Sequence, residues 1–258
     1  MASAAASSST PTVALFGATG GTGLQFLKAI LAANPKTRIN VLARTPAKLT
    51  PSFPQSTYPN LNIIQGDIHD IEVVKKTLLI DGVIVDKTVS AIGMVLQVKG
   101  IKFTSQTPHI CEDTARIIIS AISAIQSSSS PSSTKYPSII AISTTGISSH
   151  GRDIPVVMIP LYHVLLPVPH ADKKKMEDVV TAYEGNWTLV RPSFLKDGES
   201  KGANAVRVGI EIPGESQPVK KEVGCVITRE DVGKWMFEEL IKNGGNGEWE
   251  KKIVSITY

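Results

Sequence analysis

The chain has 258 residues, of which 42% are hydrophobic and 19% charged, with a formal net charge of +4 and two cysteines. That balance fits one soluble globular domain with a sizeable core and excludes disorder as the default. Lysines and arginines are scattered rather than gathered into a tract with interleaved aromatics, so no nucleic-acid partner is expected; Cys111 and Cys225 lie far apart without CxxC or Cys/His spacing, which argues against a disulfide framework, a zinc site or any other metal and suits a cytoplasmic, reducing setting.

Residues 1–11 are small and polar, lack the regions of a signal peptide and are expected to form a disordered tail. Val13 to Phe16 is a short apolar run ending in glycine, and Leu24 to Leu31 carries apolar residues at helical spacing, so the opening reads strand, glycine loop, helix. Strands are then expected at Arg38 to Ala43, Leu61 to Gln65, Thr88 to Ile92 and Ile139 to Ser143. Helices are expected at Val73 to Ile80 and Pro108 to Ile125, with the serine run Ser127 to Ser133 as a solvated loop. Further on, Asp172 to Tyr183 reads as helix, Trp187 to Val190 as a sixth strand, Glu230 to Lys242 as helix and Lys252 to Thr257 as a last strand. Ser193 to Gly224 is rich in Gly, Lys and Glu and reads as an irregular insertion over the sheet's C-terminal edge.

This alternation predicts an α/β, Rossmann-like doubly wound parallel sheet with helices on both faces, as a single domain over residues 12–258. A small substrate-binding region is expected from insertions at about 94–110, 146–170 and 193–224. The longest apolar segment, Ile154 to Val168, holds Pro155, Pro160 and Pro167 and is too short and broken to span a membrane. With Met94, Val95 and Leu96 it is expected to form an apolar wall, which favours a greasy or aromatic small molecule over a phosphorylated one.

Gly17, Gly20 and Gly23 form GxxGxxG between the first strand and its helix, in the stretch GATGGTG that also contains Thr19, Gly21 and Thr22. Such spacing permits a tight turn, lets backbone N–H groups approach a pyrophosphate and lets the helix pack closely on the strand, which points to a dinucleotide. At the end of the second strand, where an acidic residue would accept the ribose hydroxyls of NAD, the sequence instead has Arg44, with Lys48 one helical turn on. A 2′-phosphate is matched there, so NADP(H) is expected.

Taken in order, GATGGTG, VLARTPAKL, IIQGDIHD, TVSAIG, HADKKKMEDVV and WTLVRPSFLKDG resemble the atypical short-chain dehydrogenase/reductases, the NAD(P)H-binding NmrA-like proteins common in fungi. That resemblance implies that Asp67 and Ile68 border the adenine, that Ser90, Ala91 and Ile92 line the middle of the cofactor, and that Pro192 to Phe194 abut the nicotinamide. Carbonyl-reducing members of the wider family use a Ser or Thr at the end of the fifth strand together with YxxxK. Lys173 fits the family's lysine, four residues before Glu177, but Pro169 stands where the tyrosine would be, and none of Tyr58, Tyr136, Tyr162 or Tyr183 has a lysine four residues later. Ser143, Thr144 and Thr145 still offer hydroxyls at that strand end, and His150, His163 and His170 are the remaining acid/base candidates, with His170 preferred. A solvated basic turn is the plainer reading of Lys173 to Lys175.

The function expected from this is NADPH-dependent reduction of an apolar or aromatic carbonyl, quinone or enone, with Ser143, His170 and Lys173 as catalytic residues. The alternatives are a redox-neutral isomerase or cyclase that keeps the cofactor fold, and an NADP(H)-sensing regulatory protein. By analogy with short atypical members, a monomer or weak oligomer is expected.

Overall fold

A computed structural model describes residues 10–95, 97–99, 102–128, 135–160, 162, 166–242 and 247–258. Leu96, His163, most of the serine run and residues 161, 164 and 165 of the apolar segment therefore lie outside the described residues, as do residues 1–9 of the tail.

Eight strands form the main sheet: β1 (Val13–Phe16), β2 (Ile39–Ala43), β3 (Leu61–Gln65), β4 (Lys87–Ser90), β5 (Ser138–Ile142), β6 (Trp187–Pro192), β7 (Arg207–Glu211) and β8 (Lys252–Thr257). Their spatial order is β3-β2-β1-β4-β5-β6-β8-β7, with every pairing parallel except β7 against β8. The order reverses between β1 and β4, and ligands of open α/β sheets bind outside the carboxyl ends of the strands at such a switch point. Register brings Phe16 level with Ser90, Ser90 with Ala141, and Ile142 with Val190, so the strand exits share one edge.

Among the described residues, five α-helices cover the faces: α1 (Gly21–Ala33), α2 (Ile71–Leu78), α3 (Ile110–Ser127), α4 (Pro167–Thr181) and α5 (Arg229–Phe237). Strand side chains alternate between them. Val13 and Leu15 join Phe26, Leu27, Ile30, Trp235 and Met236 under α1 and α5, whereas Ala14 and Phe16 join Val74, Leu78, Ile118, Ile122 and Val180 under α2, α3 and α4. Burial on both faces is why the strands read as continuous apolar runs rather than as an alternation.

Several boundaries differ from expectation. α4 begins at Pro167 rather than Asp172, because proline is tolerated in a first turn whose N–H groups have no intrahelical partner. α2 stops at Leu78, and Leu79–Ile80 pairs with Val83–Ile84 in a hairpin whose Asp81 and Gly82 both have positive φ, the backbone that Asp-Gly favours in two-residue turns. Ser193 to Gly224 is not irregular throughout. It contributes the short strand Phe194–Lys196, which pairs with Val226–Thr228, and the whole of β7. β7 is hidden in the sequence because Arg207, Gly209 and Glu211 break its apolar pattern.

Candidate functional site

β1 runs into the glycine loop at Gly17, whose φ is +91°. A β-carbon there would stand 2.7 Å from the Ala91 carbonyl carbon, and one on Gly23 would stand 2.3 Å from the Gly17 carbonyl oxygen. Loop, helix and the exit of β4 are thus packed backbone to backbone. Gly20 caps α1 without a side-chain hydrogen bond, no acidic residue stands in the first turn, and Thr19, Gly20 and Gly21 are exposed while Thr22 is buried. The first N–H groups of α1 therefore face an open mouth with no carboxylate in the first turn, the arrangement that receives a phosphate.

Beyond β2, Arg44 and Lys48 are both exposed, Lys48 closing a short helical turn that starts at Pro46. Asp67 lies at the exit of β3, accepting from the His69 N–H at 2.9 Å with His69 Nδ1 at 2.7 Å. Those bonds, with a smaller contribution from the Arg44 charge, hold its carboxyl below the usual range. Ile68 beside it is buried. Arg44 and Asp67 are thus neighbours at one end of the edge.

At the other end Lys173 is almost fully buried, its ammonium donating to the carbonyls of Ile142 at 2.6 Å and Ile92 at 3.0 Å. It bridges the exits of β4 and β5 rather than lying in a solvated turn. The preceding Asp172 fixes α4 to α3 by accepting from the Cys111 and Glu112 N–H groups at 3.0 and 2.9 Å. Two of three ammonium protons go to these carbonyls, and the Cys111 thiol is a further neighbour of the ammonium. Ser90 is buried and Ala91 and Ile92 half-buried beside this lysine.

Ser143 turns inward. Its hydroxyl donates to Glu177 Oε1 at 2.6 Å, and Glu177 takes a two-pronged contact from Arg191 at 2.7 Å on each oxygen. Arg191 also donates to Glu211 at 2.7 Å, and Glu211 in turn accepts from Ser148 and lies 3.3 Å from His150 Nδ1. Burial works to raise the Glu211 carboxyl, but Arg191 and the smaller donors outweigh it and keep it below its ordinary value. His150, bound also to the Glu215 carbonyl at 2.7 Å, belongs to this network. Sequence reasoning missed the network, although an arginine inside the buried run WTLVRP requires a buried carboxylate partner and so signals one.

A second cluster surrounds His170. Its ring packs against Tyr162 at a tilt of 53° with centroids 5.2 Å apart, and both rings press on Gly146, whose φ of +91° and missing side chain admit them. Tyr162 is buried, its hydroxyl 3.4 Å from Thr145 Oγ1, and the Thr145 N–H donates to the Pro192 carbonyl. Burial raises the phenol above its ordinary pKa. Pro192 is buried and Phe194 is 42% exposed. His170, Tyr162, Thr145 and Pro192 therefore meet at the exits of β5 and β6, whereas Ser143 belongs to the carboxylate network behind them.

Among the described residues no group of His, Cys, Asp and Glu could hold a metal ion, and no helix is long and apolar enough to cross a membrane.

The family model described as NAD(P)H-binding matches residues 17–243. The chain is 39% identical to reductase pytE of Aspergillus terreus, over 98% of this chain and 100% of that protein. It is 35% identical to oxidase pynE of Aspergillus niger, over 96% and 99%. A solved short-chain dehydrogenase/reductase from Veillonella parvula, in complex with NADP, superposes with a TM-score of 0.68 at 14% identity, over 97% of this chain and 95% of that one. ChuY, an anaerobillin reductase from Escherichia coli O157:H7, gives 0.64 at 17% identity over 96% of both.

Proposed function

The chain belongs to the NAD(P)H-binding family of atypical short-chain dehydrogenase/reductases and is an oxidoreductase, and from that premise we propose that it uses NADPH to reduce an apolar, planar carbonyl, quinone or enone. One observation carries the choice of substrate class. Of nine large hydrophobic residues exposed among the described ones, six (Val95, Val156, Val157, Val168, Phe194 and Val219) fall in the three segments 94–110, 146–170 and 193–224. Exposed apolar side chains in the segments expected to cover the strand exits suit an apolar ligand. The two fungal relatives are named for opposite directions, reductase and oxidase; the higher identity to the reductase, 39% against 35%, supports reduction.

The residues fit the cofactor. Backbone crowding at Gly17 and Gly23 shapes a cradle with free N–H groups, Arg44 and Lys48, exposed beyond β2, would take a 2′-phosphate, and Ser90, Ala91, Ile92, Pro192 and Phe194 would follow the cofactor to the far end. Once bound, the nicotinamide supplies the hydride. The Lys173 ammonium would hold the adjoining ribose. His170 is the proposed proton donor, with the Tyr162 ring packed against it to hold the imidazole in place.

Titration with NADPH and NADH, followed by NADPH oxidation against quinones, flavins and aromatic ketones, tests this reading. Binding with turnover supports it; binding without turnover over the whole panel would favour an NADP(H)-sensing or redox-neutral protein. Arg44→Glu should weaken NADPH by about 2 kcal/mol, roughly 30-fold in Kd, because repulsion replaces a charge-assisted phosphate contact, and should leave NADH nearly unchanged. His170→Gln should lower kcat by about tenfold or more and flatten its pH profile, with Tyr162→Phe causing a smaller loss. An unaltered pH profile in both variants would remove this pair from the chemistry.

A further inference from the structure

Gly21 is the first residue of α1, a position that does not itself need glycine, and glycine in a helix is destabilising by roughly 0.5–1 kcal/mol relative to alanine. Its reason lies across the site. A β-carbon on Gly21 would stand 2.4 Å from Arg229 Cδ and 2.8 Å from Arg229 Nε. The arginine side chain therefore lies flat against the N-terminal turn of α1, at the mouth of the glycine loop.

Arg229 is an odd choice for its own helix. It opens α5, whose Thr228 cap accepts from the Asp231 N–H, and a cation in a first turn opposes the helix dipole. Glu230 beside it pairs with Lys234, and Asp231 is taken up by Thr228, Ser200 and the Lys201 N–H. The Arg229 guanidinium instead donates from Nη1 to Asp197 at 2.9 Å, a carboxylate whose side chain is 89% exposed. Such a pair contributes little to stability. An arginine that opposes one helix dipole, lies against the glycine that opens another helix and gains only an exposed partner is placed for something outside the fold.

We propose that Arg229 binds the pyrophosphate of the dinucleotide, closing over the α1 N-terminus from the α5 side. The inference rests on the glycine loop holding NADPH. A guanidinium has five N–H donors in a planar fork, and the contact with Asp197 uses one edge at most. Phosphate oxygens on the α1 N–H groups would lie beside Gly21, against which the Arg229 side chain already rests, and Asp197 holds that side chain there until they arrive. Arg44 and Arg229 then divide the work. Arg44 reads the 2′-phosphate that distinguishes the two nicotinamide cofactors, and Arg229 grips the pyrophosphate that both contain.

That division gives the test, read by binding alone. Wild type, Arg229→Gln, Arg229→Lys and Arg44→Glu would be titrated with NADPH and with NADH by fluorescence, with thermal unfolding without nucleotide as the check on folding. Arg229→Gln should raise Kd about tenfold for both cofactors alike, Arg229→Lys should recover part of the loss, and Arg44→Glu should affect NADPH only. The plot of log Kd against log salt should also be shallower for Arg229→Gln. Wild-type affinity in a folded Arg229→Gln would overturn the proposal, as would a loss confined to NADPH, which would move Arg229 to the 2′-phosphate. Failure of the wild type to bind either cofactor would instead overturn the reading of the glycine loop itself.

Discussion

Arg191→Leu is expected to destabilise the protein by about 3–5 kcal/mol, the cost of breaking a buried ion pair by removing one partner. For a chain of this size that corresponds to a fall in melting temperature of roughly 10 °C. Arg191 is 2% exposed and answers two carboxylates at once, Glu177 through both oxygens and Glu211 through one. Its removal strands both in the sheet. The loss should also depend on pH with a defined sign. In the wild type the Glu211 carboxyl is held below its usual value, so its contribution is present above the unfolded pKa and disappears as pH falls through the lowered one. In the variant, buried carboxylates without a cation have pKa values raised above the unfolded ones, so the penalty grows as pH rises. The gap between variant and wild type should therefore narrow from pH 8 to pH 5. A gap independent of pH would mean that water or side-chain movement relieves the carboxylates. Ser143 follows the same logic: with its hydroxyl given to Glu177, its contribution to any chemistry runs through this network.

Much of the fold was legible because both faces of the sheet are covered. Continuous apolar runs such as VALF read as strands buried on both faces, and their alternation with helical segments implied parallel pairing. β7 escaped because it lies at the edge, where Arg207 and Gly209 serve contacts rather than core: Arg207 pairs with Glu222, and the Gly209 backbone packs against Ser255 and Glu222. At the site, the glycine loop and Arg44 could be read because backbone conformation and charge at a strand end are local properties. Arg191 with Glu177, Tyr162 with His170 and Arg229 with Gly21 could not, since each pair joins residues whose approach is decided by the tertiary packing of α4 and α5. Arg229 in particular looks like any surface arginine until the side chain it displaces from Gly21 is considered.

Lys173→Met is expected to lower kcat for NADPH oxidation by about 10²–10³-fold, the scale on which removal of one preorganised donor from a site is felt. Methionine fills nearly the same volume, so the core between α4 and the strand exits should survive. What is lost is the ammonium at 2.6 Å from the Ile142 carbonyl and 3.0 Å from the Ile92 carbonyl. Two carbonyls without their donor should also cost about 1–3 kcal/mol of stability, which thermal unfolding would register separately from kcat. A purely structural brace would show the second effect without the first. Lys173→Ala separates the roles further, because a small alkylammonium ion can enter the space left by the side chain and restore a charge there. Partial return of turnover with added ethylammonium, with little change in NADPH affinity, would place the lysine charge in the chemical step. Turnover unaffected in Lys173→Met, together with a lowered melting temperature, would leave Lys173 as the tie between β4 and β5 and shift the catalytic burden to His170.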